Sequence, residues 1–82
     1  MDKVYLIHID EVYEYEELGH PIEVYRNRED AENRYKEIVE VAECEYPSDW
    51  EREEGQWRYE CYEDGHYAYN HFSVTLKTAE VR

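Results

Sequence analysis

Positive charge is what this 82-residue chain has least of: 9 Lys and Arg stand against 22 Asp and Glu, a formal charge of −13. A surface that negative repels phosphate backbones and anionic lipid, so direct binding to nucleic acid or to a membrane is not expected. Glycine is also scarce, at 3 residues, too few for a loop that cradles phosphates. The 2 cysteines do not make a disulfide framework and are read as two buried thiols in a reduced, cytoplasmic protein. The longest apolar run, VYLIHI, has strand length and holds a histidine. It falls far short of the roughly 20 residues that span a bilayer. No basic start leads into an apolar block, so no secretory signal is expected.

What is present argues for a folded chain. Hydrophobic residues make up 41%, and 10 of them are tyrosines; acidic disordered chains are poor in aromatics. The length predicts one domain over residues 1–82. Such a chain buries only about 60% of its unfolded surface. That suffices for one sheet and one helix, without a deep cleft, so neither an enzyme nor a cofactor site is expected.

Residues 4–15 alternate, with Tyr5, Ile7, Ile9, Tyr13 and Tyr15 on one face and His8, Asp10, Glu14 and the following Glu16 on the other. Period 2 over this length predicts a half-buried strand. Glu11 interrupts the apolar face and predicts a bend or bulge. ELGHP (17–21) reads as a turn and IEVY (22–25) as a second strand. A loop at 17–20 would set Tyr15 opposite Ile22 and Tyr13 opposite Val24.

The segment 27–44 carries a helical stripe, Ala31, Tyr35, Ile38, Val39 and Ala42, with Asn27 as N-cap and Asp30 three residues on. Its outer face bears Glu29, Glu32, Glu37, Glu40 and Glu43, relieved by Lys36 one turn from Glu32 and Glu40. Pro47 stops the helix. In 45–55, Ser48 with Glu51 either caps one further turn ending at Gly55, or the segment is an acidic loop. Residues 56–63 and 66–78 read as strands, joined by Asp64-Gly65 as a type I′ turn. That turn would pair Cys61 with Ala68 and Trp57 with Phe72. Trp57, Tyr59, Cys61, Ala68, Phe72, Val74 and Leu76 would face inward, and Arg58, Glu60, Tyr62, Tyr67, Tyr69 and His71 outward. The expected fold is α+β: an antiparallel four-stranded sheet in the order β-β-α-β-β, one helix on one face, and the long first and last strands as neighbours.

Within CYEDGHYAYNHF (61–72) the clustered histidines, cysteine and carboxylates suggest a metal. A structural zinc site needs closely spaced soft ligands converging from one side. His66 and His71 point to opposite faces of a strand, Cys61 points inward, and no metal is expected. Cys44 lies at the negative end of a helix, which disfavours a thiolate nucleophile. No GxSxG or HExxH occurs. Tyr62, Tyr67 and Tyr69 resemble a base-stacking platform, but their neighbours Glu60, Glu63 and Asp64 have the wrong sign for phosphates. Tyrosine is enriched at protein interfaces.

The remaining feature is acid repeated on a rigid scaffold: the helix glutamates and Glu45, Asp49, Glu51, Glu53 and Glu54. Duplex DNA carries one charge per about 1.7 Å of axis, and such a surface can compete for a basic groove. The pattern KVYLIHIDEVYEY…PIEVYRNREDAENRYKEI over residues 3–39 resembles small phage and mobile-element proteins. The acidic single-domain character is similar to DNA-mimic and anti-CRISPR inhibitors. The resemblance implies a cytoplasmic, non-enzymatic inhibitor, a monomer or weak dimer, whose partner is a basic nucleic-acid-binding protein or host-defence nuclease. Partner contacts are expected at the helix and 45–54 carboxylates. The alternative is a general protein-interaction domain using Tyr62, Tyr67 and Tyr69.

Overall fold

The computed structural model describes residues 2–13, 16–19, 21–63 and 70–81, with side chains described over 3–12, 21–63 and 70–81. The elements are β1 (Asp2–Tyr13), β2 (Glu16–Gly19), β3 (Ile22–Tyr25), α1 (Arg28–Glu45), β4 (Glu51–Gly55), β5 (Arg58–Tyr62) and β6 (Asn70–Val81). The chain is α+β, with one helix on an antiparallel sheet as expected. The strand count is higher: six segments rather than four.

The two long strands are neighbours, paired from Asp2↔Val81 to Tyr13↔Asn70. The other edge of β1 carries β3 against Tyr5–His8 and β2 against Glu11–Tyr13. These two short strands therefore share one lane, and the sheet is five lanes wide. Residues 17–19, read as part of a turn, instead belong to a strand with Glu16 that pairs back on β1. The register slips between Glu11 and Val12, which face Gly19 and Glu17, so the irregularity expected near Glu11 is present, with the extra residue on β2. β4 occupies the segment read as a helical turn or loop. Its sequence, EREEG, has no apolar alternation to announce a strand. An edge strand needs backbone pairing on one side only, and its charges discourage further pairing.

Both hairpin registers differ from expectation. Ile22 pairs with His8 rather than Tyr15, and Val24 with Leu6 rather than Tyr13. That is a displacement of seven residues along β1 (15 − 8 = 7). Because side chains alternate, an odd displacement moves Ile22 and Val24 to the opposite face. Cys61 pairs with Phe72 rather than Ala68, four residues along (72 − 68 = 4). An even displacement leaves the described side chains of β5 and β6 on their expected faces. Asp64-Gly65, and with it the expected type I′ turn, lies outside the described residues; next to it the Glu63 N–H donates to the Asn70 carbonyl at 3.2 Å.

The core lies between α1 and the sheet. Asn27 caps the helix, accepting from the Asp30 N–H at 3.1 Å. Tyr35, Ile38 and Ala42 are buried against Ile7, Tyr59, Cys61, Phe72 and Val74, Val39 packs beside them, and Ala31 is buried too. Trp57 is not in a strand. It sits in the β4–β5 turn at φ 60°, where its carbonyl accepts from Leu76 N–H and its ring meets Tyr35 edge-on. The Tyr46 hydroxyl donates to Glu11 Oε1 at 2.6 Å, which accounts for a glutamate on the helix-facing side of β1. Arg52 ties down the chain after the helix: it donates to the Tyr59 hydroxyl and to the carbonyls of Tyr46, Pro47, Ser48 and Trp50.

Arg34 joins the helix to β3 through Glu23, at 3.1 Å, and Tyr25 also donates to that carboxylate at 2.6 Å. The Arg34 hydrogen bond first, then that of Tyr25, hold the Glu23 carboxyl below its ordinary value. A depressed pKa contributes stability above the unfolded-state value, and the contribution is lost as pH falls through the lower folded value. Glu23→Gln is therefore expected to cost about 1 kcal/mol at neutral pH and to show a shallower acid loss than the unaltered chain. Urea midpoints measured against pH check this; parallel curves would contradict it.

Candidate functional site

α1 is the scaffold of the acidic surface. Its apolar stripe faces the sheet, so Glu29, Glu40 and Glu43 are exposed on the far side. Among the described residues no cation pairs with these three. Glu32 is held by Arg28 at 2.8 Å, and Glu37 by Arg34 at 2.7 Å. Lys36, expected to relieve Glu32, leaves that role to Arg28. The helix starts with Glu29 and Asp30 and has no basic residue in its last turn. Its negative end, carrying Glu43 and Glu45, is thus left uncompensated.

The 45–54 carboxylates do not form one cluster. Glu45 and Asp49 are exposed near the end of the helix. Along β4 the side chains alternate: Glu54 pairs opposite the buried Tyr59 and shares the helix side, while Glu51 and Glu53 lie opposite Tyr62 and Glu60 on the other face. Glu53 is drawn to Arg58 at 3.7 Å. The acidic surface around α1 therefore comprises Glu29, Glu32, Glu37, Glu40, Glu43, Glu45, Asp49 and Glu54, without Glu51 and Glu53.

A shallow groove of about 480 Å³ runs along this surface between Glu37, Glu40, Val41, Cys44 and Glu45. Val41 is 55% exposed. An apolar floor with a carboxylate rim suits the aliphatic stem and charged head of a lysine or arginine. The sequence reading missed Val41, because one valine outside the apolar stripe carries no pattern of its own. Cys44 is exposed on this groove, correcting the expectation of two buried thiols. Cys61 is buried, and burial pushes its thiol up to about 11.

Tyr62 lies on the sheet face away from α1, its ring 6.4 Å from that of His71. Tyr67 and Tyr69 lie outside the described residues. Beside Tyr62, Glu60 accepts from Arg58 at 2.8 Å and contacts His71 Nε2 at 3.1 Å. Burial alone would raise the Glu60 carboxyl, but the hydrogen bonds of His71 and Arg58 outweigh it and hold the group low. Among the described residues no three His, Cys, Asp or Glu converge as metal ligands; His20 and His66 are not among them. No described helix is long and apolar enough to cross a membrane. Comparison with protein-family models, with curated proteins and with solved structures gives no match, so the reading of this surface rests on its own chemistry.

Proposed function

We propose that the chain is a non-enzymatic acidic inhibitor that occupies the basic groove of a nucleic-acid-binding protein or host-defence nuclease. It would act in the cytoplasm, in the manner of DNA-mimic and anti-CRISPR proteins of phages and mobile elements. The observation that supports this reading is the set of exposed carboxylates Glu29, Glu40 and Glu43 on one rigid helix, which no cation among the described residues pairs. Glu40 and Glu43, three residues apart, lie about 5–6 Å apart at Cβ, and Glu29 stands about three turns, roughly 16 Å, towards the helix start, so the helix fixes the separations of the charges. The groove over Val41 adds a place for the stem of a lysine or arginine, and desolvated contact there supplies affinity that charge alone does not.

The test is capture of the partner from a native host lysate, followed by affinity measured against salt. Binding driven by this surface weakens steeply from low to moderate salt, as steering and counterion effects are screened. An affinity indifferent to salt would sink the mimic reading. It would favour the second reading, a protein-interaction domain using the face that carries Tyr62, which α1 leaves uncovered.

A further inference from the structure

Among the described residues nothing packs on the sheet face opposite α1, and that face changes character along its length. At one end it carries Tyr62, His71, Glu60 and Arg58. At the other end, the pairings Val4↔Ala79, Leu6↔Val24 and Asp2↔Val81, with Ile22 opposite His8, bring Val4, Leu6, Ile22, Val24, Ala79 and Val81 to one face. Ile22 is 59% exposed, Val24 60% and Val81 47%. These are three of the exposed large apolar side chains of the described chain, and they form one strip. Contiguous apolar surface of this kind marks an interaction site.

We infer that this strip is a self-association surface, on which a second copy of the chain packs sheet against sheet about a twofold axis. Charge bears on the occupant: the strip side chains are themselves uncharged and Lys77 lies beside them opposite Leu6, while Asp2 pairs opposite Val81 and Asp10, in contact with His8, lies beyond it on the same face. A basic partner is drawn instead to the carboxylates of α1, on the far side of the sheet. Two copies meeting by their open faces put both acidic helices outermost. The helices are then separated by about three layer spacings of roughly 10 Å each, well beyond the ~8 Å screening length at physiological salt.

The available area agrees. Strands of 12 residues are about 40 Å long and five lanes about 20 Å wide, matching the two longer extents of the molecule, 44 and 21 Å. The whole face, including the end that carries Glu51, Glu53 and Glu60, thus offers a footprint near the ~800 Å² per partner of a stable interface. Only part of it is apolar, so association in the micromolar range is expected rather than a permanent dimer. A twofold contact uses the same patch on both copies, and every strip residue counts twice. This inference is independent of the proposed partner. It also has the opposite salt dependence: copies that each carry −13 repel at low salt and associate more tightly as salt rises.

Sedimentation equilibrium of the full chain, from micromolar to low millimolar concentration and at several salt concentrations, tests it. The expected result is a monomer–dimer equilibrium that strengthens with salt. Val24→Glu is expected to weaken it about a hundredfold, since each copy loses an apolar contact and both gain a charge. Val81→Glu, at the other end of the strip, should act in the same direction, which guards against a fault in folding at β3. Both sites are exposed, so circular dichroism of either variant should match the unaltered chain. A monomer at every concentration and salt overturns the inference and leaves the strip to a foreign partner. A dimer untouched by both substitutions overturns it as well.

Discussion

Tyr59→Ala is expected to leave much of the chain unfolded at room temperature. Tyr59 is 1% exposed and lies opposite Val74 in the middle of the sheet, beneath α1. Truncating a buried aromatic side chain costs about 3–5 kcal/mol through lost burial and the cavity left behind. The hydroxyl also accepts from Arg52 Nε at 3.0 Å. Its removal loosens the guanidinium that ties down residues 46–50, adding about 1 kcal/mol. A domain of this length has a total stability of about 4–12 kcal/mol, so the loss approaches the lower bound. Tyr59→Phe keeps the ring and gives up only the hydrogen bond, for about 1 kcal/mol. Urea unfolding followed by circular dichroism separates the two variants. A cost for Tyr59→Ala below about 2 kcal/mol would be incompatible with a core centred on this ring.

The joint reversal Glu32→Lys, Glu40→Lys and Glu43→Lys is expected to lower affinity for a basic partner by about a hundredfold or more, mainly through the association rate. Each reversal changes the charge by +2, so the chain goes from −13 to −7 (−13 + 6 = −7). Glu40 and Glu43 are exposed and have no described cation beside them. Glu32 is held by Arg28, so its reversal also removes an exposed i,i+4 pair worth about 0.3–0.5 kcal/mol. The stability of the triple variant should stay within about 1 kcal/mol of the unaltered chain. Any loss of binding therefore reports on the surface and not on folding. Affinity that survives the reversal would assign recognition to the face bearing Tyr62. Measuring association rate and salt slope together is decisive, because a steered encounter loses both at once.

The helix was legible because three independent signals agree over 27–45: the capping Asn27, the stripe from Ala31 to Ala42, and Pro47 beyond the end. Burial on β5 and β6 was legible for a different reason. Tyr59 and Cys61 alternate on β5 as Phe72 and Val74 do on β6, and the register is displaced from the expected one by four residues, an even number that keeps both pairs on one face. β4 was not legible: five residues of EREEG carry no apolar alternation, and only the free edge of β5 makes them a strand. The division of the 45–54 carboxylates follows from that strand, since alternation sends Glu54 to the helix side and Glu51 and Glu53 to the other.

The amino-acid sequence by itself determined the surplus of carboxylates, the helix with its outward glutamates, the long first and last strands, and which residues of β5 and β6 face inward. All of these depend on composition or on periodicity within one segment. Tertiary structure alone decided where β3 sits on β1. Both candidate registers pair extended strands, but they differ by an odd number of residues, and one residue of parity turns Ile22 and Val24 from the core to the open face. The competing interactions are long-range: Glu23 reaching Arg34 on the helix and Tyr25 packing under it. No local pattern in IEVY encodes those contacts.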